Sequence, residues 1–195
     1  MINLRHLASI SLIISLFFIG QPVYLLTKAQ LAQLLLANAW QQTIAQQQDM
    51  KPWPWADIHP VAKLEVPALA IDQIVLQGQH GEALAFGPGF QQDQGNLFLA
   101  GHRDSHFSFL KKVKINDIIY LTLKNGSKRE YRIAELNVFD IQAHRLLIPY
   151  QDSLTLITCY PFESLQTSTN KRLAVIAIPT QHSHSPTTKQ SVETS

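Results

Sequence analysis

The apolar positions of this chain change regime twice. Residues 7–26, LASISLIISLFFIGQPVYLL, run for 20 positions without a charge, about what a helix needs to cross a bilayer. Arg5 precedes the run and Lys28 follows it, so flanking charge gives orientation only a slight bias. The pattern predicts an uncleaved signal anchor with the bulk of the chain outside. A cleaved signal peptide would have its apolar core at Leu7–Gly20, but no small-x-small site follows closely, and ANA at 37–39 lies far downstream. Residues 29–48 are rich in Ala, Leu and Gln and lack Gly, Pro and charge, which favours continued helix as a short stalk. KPWPWADIHP at 51–60 ends it, because three closely spaced prolines forbid regular helix. Trp53 and Trp55 either sit at the membrane interface or pin this segment to a core, and packing is the better reading.

From Val61 the period falls to two. AKLEVPALAI, QIVLQG, NLFLAGH, DIIYLTL, REYRIAELNVFDI, DSLTLITC and KRLAVIAI are β-prone runs parted by turn-forming residues. HFSFLKKV at 106–113 has the spacing of one or two helical turns, and Asn125-Gly126 between two alternating runs signals a hairpin. Little helix and roughly eight short strands predict an all-β, closed or nearly closed barrel. The expected organisation is a cytoplasmic stub and transmembrane anchor (1–28), a helical stalk and Pro/Trp-rich linker (29–60), the barrel (61–179) and a disordered polar tail (180–195).

Composition narrows the function classes. Net charge is +2 and the longest basic cluster is KKVK at 111–114, so no basic stripe suits nucleic acid. One cysteine, Cys159, rules out an internal disulfide.

Cys159 ends LTLITC, on the opposite strand face from Leu154 and Leu156. Strand ends opening into loops are where scaffolds present reactive groups, yet free cysteine is also among the most buried and inert residue types. A nucleophilic cysteine needs a nearby imidazole or guanidinium to give it thiolate character. Among eight histidines, His6 lies before the apolar run, and His182 and His184 lie in the tail, too isolated for a firm metal site. His59, His80 and His144 stand in polar, loop-like contexts. His102 follows NLFLAG directly, at the mouth of a buried strand, whereas His106 opens the helical turn. Arg172 begins the last strand, where a surface arginine beside Lys171 is the alternative.

LAGHRDSHFSFLKKVKINDIIYL, LTLITCYPF and NKRLAVIAI, in that order, resemble the sortases, membrane-anchored cysteine transpeptidases. The likeness covers about residues 61–179 and matches at His102, at Thr155-Leu156-Ile157-Thr158-Cys159 and at Arg172. PWPWAD, ALAFGPG and TCYPF resemble the class found in Gram-negative proteobacteria. Ser105, Asn116 and Ala174 depart from the commoner Thr, Gly and larger aliphatic. Asn tolerates the left-handed turn such a glycine serves.

The resemblance implies a sortase-like β-barrel with catalytic His102, Cys159 and Arg172, and substrate contacts at Ala100, Thr158 and Tyr160. It implies a secreted protein substrate with a C-terminal Leu-Pro-x-Thr-Gly-like signal, and an amine acceptor of open identity. The location would be the bacterial inner membrane, single-pass, with the catalytic domain facing the periplasm. No metal or organic cofactor is demanded, and no compact carboxylate cluster suits calcium. Two rivals come from other classes, another cysteine enzyme and a non-catalytic domain. A caspase-like hydrolase fits the His-to-Cys order but lacks Q-A-C-x-G, and an L,D-transpeptidase would want Arg where Pro161 stands. A tethered, non-catalytic envelope binding domain would leave Cys159 dispensable.

Overall fold

The computed structural model describes residues 4–143, 148–164 and 169–180, apart from the side chains of residues 4–10, 12–14, 16, 17 and 19. One helix, α1, runs from Leu4 to Gln46 with Pro22 inside it. The uncharged run and the stalk are therefore one continuous helix. Among the described residues no helix is long and apolar enough to cross a membrane.

Eight strands follow: β1 (Pro60–Val66), β2 (Ile71–Gln77), β3 (Gly89–Asp93), β4 (Asn96–Ala100), β5 (Ile118–Leu123), β6 (Lys128–Asp140), β7 (Leu154–Cys159) and β8 (Lys171–Pro179). They close into a barrel in the order β1-β2-β3-β4-β7-β8-β6-β5. A short helix, α2 (Gly81–Phe86), joins β2 to β3, and a 3-10 turn at Ser108–Lys112 replaces the α-helical turns expected there. The seam between β2 and β3 is the short one, pairing only Leu76 with Gly89 and Gln77 with Phe90. Two neighbouring pairs are parallel, β2/β3 and β4/β7.

The barrel is filled from alternate positions. Leu64, Val75, Leu97, Leu99, Leu121, Ile133, Leu154, Leu156 and Val175 meet inside, and Phe107 and Phe109 join them from the segment after β4. A second cluster lies outside the wall. Leu36 of α1 packs there on Ala56, Ile58, Leu76 and Ala83, with Trp53 against the Phe86 ring at 5.1 Å. The two linker tryptophans thus divide: Trp53 packs, whereas Trp55 is 81% exposed. Asp49 ties the helix end to the barrel through Lys124 (2.9 Å) and His59 (3.6 Å).

The β5–β6 hairpin forms, but by a bulged route. Only Gly126 takes a positive φ, +79°. Gly126 N–H donates to the Leu123 carbonyl and Asn125 Oδ1 accepts from Ser127, so a two-residue mirror-image turn, which needs both residues left-handed, is not used. Asn116 is left-handed at φ +74°, as its glycine-like position suggested. Thr180, placed in the expected tail, is bonded to Glu130 instead. Residues 181–195, with His182 and His184, and also His144, lie outside the described residues.

Candidate active site

β7 carries the cysteine between two partners. Its inner-face residues Leu154 and Leu156 are fully buried, while Ile157 and Cys159 face outward and are half-buried. On one side, parallel β4 pairs Phe98 with Thr155 and Ala100 with Ile157. Gly101 N–H then donates to the Ile157 carbonyl at 3.2 Å. Carrying that register onward brings His102 level with Cys159. Parallel pairing is what matters here, because it puts the C-terminal ends of both strands at the same barrel mouth.

On the other side, antiparallel β8 sets Arg172 directly opposite Cys159. Tyr160 N–H donates to the Lys171 carbonyl at 3.0 Å. That makes Cys159 and Arg172 a non-hydrogen-bonded pair, the kind whose side chains stand closer together. The Arg172 guanidinium is tied to the chain that leads into β8, since Nη1 donates to the carbonyls of Thr169 and, at 3.0 Å, Lys171. Arg172 is half-buried, whereas its neighbour Lys171 is exposed. His102 is exposed.

One step below this row lie Ala100, Ile157 and Ala174, level with one another on the outer face. All three are apolar; Ala100 and Ile157 are half-buried, whereas Ala174 is fully buried. Ala100, a residue the resemblance assigns to substrate, thus shares the face of Cys159, and Ile157 stands beside it. Strand alternation alone could have revealed Ile157 from its place two residues before Cys159. Thr158 departs from expectation. It points inward, is 2% exposed, and donates its hydroxyl to the Gly101 carbonyl at 2.8 Å. It is a strut under the His102 loop, on the strand face opposite Cys159. The Tyr160 ring lies edge-on to Phe162 at 6.3 Å, and its carbonyl accepts from Thr169.

The loop bearing His102 is held by packing. A Cβ on Gly101 would lie 2.8 Å from the Phe107 ring, so the glycine is demanded by close approach and not by a left-handed backbone. The His102 carbonyl accepts from Phe107 N–H at 3.0 Å. His106 stands behind it, its imidazole pushed below its ordinary range by burial, with His102 adding to that fall against a backbone bond to Ala85. Arg103 carries no mark in the sequence beyond being basic, yet it is 6% exposed and donates to the carbonyls of Pro161 and Ser164. Among the described residues no three His, Cys, Asp or Glu side chains gather to hold a metal ion. A cysteine with an arginine opposite it on one neighbouring strand and a histidine level with it beyond the other has the residue types for acyl transfer through sulfur.

Comparison with known proteins agrees with this layout. A family model described as "Sortase domain" matches residues 64–180. Sortase D of Bacillus subtilis (strain 168) is 27% identical over 107 residues, 51% of this chain and 54% of that protein. The chain thus spans about half the length of this curated relative. Sortase A of Listeria monocytogenes is 29% identical with a TM-score of 0.52, covering 63% of this chain and 88% of that one. Sortase A of Corynebacterium diphtheriae is 25% identical with a TM-score of 0.56, covering 69% and 66%. With the family match extending from inside β1 through β8 and the same barrel found in solved relatives, the chain belongs to the sortase family.

Proposed function

We propose that this chain is a membrane-anchored cysteine transpeptidase. It cleaves a C-terminal sorting signal of the Leu-Pro-x-Thr-Gly type on a secreted protein and joins the freed carboxyl end to an amine. The observation that carries this reading is the pairing of Cys159 with Arg172 across β7 and β8, one strand from His102. The uncharged run at 7–26 supports a single-pass anchor in the inner membrane with the barrel on the periplasmic side. The motifs of the Gram-negative class support that placement.

The steps follow from the residues. The Cys159 thiolate attacks the Thr carbonyl, and Arg172 donates hydrogen bonds where negative charge develops on oxygen. His102 gives a proton to the departing amine as the carbon–nitrogen bond breaks, leaving a thioester. The incoming amine passes a proton back to His102 and attacks the thioester, and the thiolate departs. Sulfur ends as it began, with no redox change and no cofactor required.

The test is a C-terminal sorting-signal peptide incubated with the full-length protein in detergent, with and without added amines. Cys159→Ala abolishes thioester capture, detected by intact mass. His102→Ala is severely impaired, and Arg172→Ala loses about 10²–10³-fold in kcat, the usual effect of removing an oxyanion donor. Transpeptidation retained by Cys159→Ala would sink the reading. Products formed only by water, whatever amine is added, would make it a peptidase instead.

A further inference from the structure

We infer that Arg103 is a positioning residue that locks the His102 loop to the Cys159 loop, by bridging from one to the carbonyls of the other. The inference deepens the transpeptidase reading and rests on it. Arg103 directly follows His102, yet its side chain turns inward, where it is 6% exposed. Nη1 donates to the Pro161 carbonyl at 2.8 Å and Nη2 to the Ser164 carbonyl at 2.9 Å. Those residues lie two and five positions after Cys159. Nε faces Asp104 at 3.5 Å, a carboxylate side chain 76% exposed.

A cation this buried is costly unless its donors are used. Here the fork spends them on two backbone oxygens of one loop, in charge-assisted bonds. The far end of that loop is gripped as well, because the Thr169 hydroxyl donates to the Tyr160 carbonyl at 2.8 Å. Thr158 adds a third tie, from β7 back to the Gly101 carbonyl. Of these, only Arg103 joins residues just after the histidine to residues just after the cysteine. A lysine would keep the charge, but its compact ammonium lacks the planar fork that spans two carbonyls.

The test uses the full-length chain in detergent as wild type, Arg103→Lys, Arg103→Met and His102→Ala. Two quantities are read: the rate at which iodoacetamide alkylates Cys159 at one fixed pH, and kcat and KM for turnover of the sorting-signal peptide. His102→Ala changes the alkylation rate; Arg103→Met changes it in the same direction while the far-UV circular dichroism is retained, and Arg103→Lys restores only part of it. Peptide kcat falls about 10²-fold in Arg103→Met, as a displacement of about 1 Å would cause, with KM little changed. If both Arg103 variants melt earlier yet keep the wild-type alkylation rate and kcat, Arg103 is merely structural and the inference is overturned. Should Arg103→Met not fold, the Arg103→Lys rates decide in the same way. An alkylation rate unmoved by His102→Ala instead overturns the Cys159–His102 pairing itself. Unturned peptide with this alkylation series intact removes only the assigned signal.

Discussion

Replacing Gly101 with alanine adds one methyl group where the chain has no room for it. The new Cβ would stand 2.8, 2.9 and 3.0 Å from three carbons of the Phe107 ring, against 3.4–4 Å for ordinary contact. The ring must retreat by roughly 0.6 Å or more, and overpacking of this kind typically costs about 1–3 kcal/mol. Phe107 has little freedom to retreat. It is fully buried and lies edge-on to Phe109, with centroids 5.8 Å apart. At roughly 3–5 °C per kcal/mol for a domain of this size, the melting temperature falls by about 3–15 °C. The strain also reaches the chemistry. Phe107 N–H holds the His102 carbonyl and Thr158 holds the Gly101 carbonyl, so the loop carries the imidazole with it. A misplacement of about 1 Å is worth about 10²-fold in rate. Gly126→Ala is the control. That position has φ +79° but open space around its Cβ, so the left-handed backbone alone costs about 1–2 kcal/mol far from the site. Thermal melts and peptide kcat/KM separate the two variants. The reasoning is refuted if Gly101→Ala melts like wild type, or if it loses no more activity than Gly126→Ala at equal loss of stability.

Thr158→Val keeps the shape of the side chain but leaves the Gly101 carbonyl without its partner, costing about 1–3 kcal/mol; Thr158→Ser restores most of that in chemical melts. Leu36→Ala, at a position 1% exposed, costs about 2–5 kcal/mol of helix–barrel packing. Hydrogen exchange should accelerate in the stalk part of α1 while the barrel strands keep their protection, and uniform acceleration would disprove a separate seam. His106 is held below its ordinary pKa by burial, so the unfolded chain takes up its proton first. Its contribution to stability is whole above the ordinary imidazole range and is lost as pH falls toward the folded value. His106→Gln therefore shows a shallower fall in melting temperature on acidification. The Asp49 carboxyl is held below its usual range chiefly by its bond to Lys124. That contribution is present above the ordinary carboxylate pKa and is lost as pH falls through the folded one, and salt weakens it because the pair is solvated. Asp49→Asn removes the salt dependence of the melt.

What the sequence made legible was whatever had a strict period or a demanding backbone. The alternation in LTLITC put Leu154 and Leu156 inside and Cys159 outside, and the folded strand agrees. Asn125-Gly126 marked its hairpin, although the turn is built by a different route. β3 escaped notice because GFQQD is mostly exposed and polar, held by pairing more than by burial. α2 is only six residues long, too short to show a helical period. Arg103 was illegible for a different reason. A buried arginine spends its donors on backbone carbonyls that sequence spacing does not reveal. The inward placement of Thr158 was illegible too, because a motif names residues without saying which way they point.

The distance in sequence between His102 and Cys159, 57 positions, says nothing about their distance in space, whereas topology fixes it. β4 and β7 are parallel neighbours, so both chains leave the barrel at the same mouth, and β8 must enter there because it pairs with β7 antiparallel. Three residues at those ends are neighbours whatever the intervening chain does. Register is then the quantity the fold has to protect. Sliding β7 by one residue would turn Cys159 inward and Thr158 outward, since the side-chain period of a strand is two. The Thr158 hydroxyl on Gly101, Tyr160 N–H on Lys171 and Gly101 N–H on Ile157 each break under such a slip. The bonds that crowd this mouth act on a sulfur they never touch, by leaving β7 a single register in which Cys159 stands level with both His102 and Arg172.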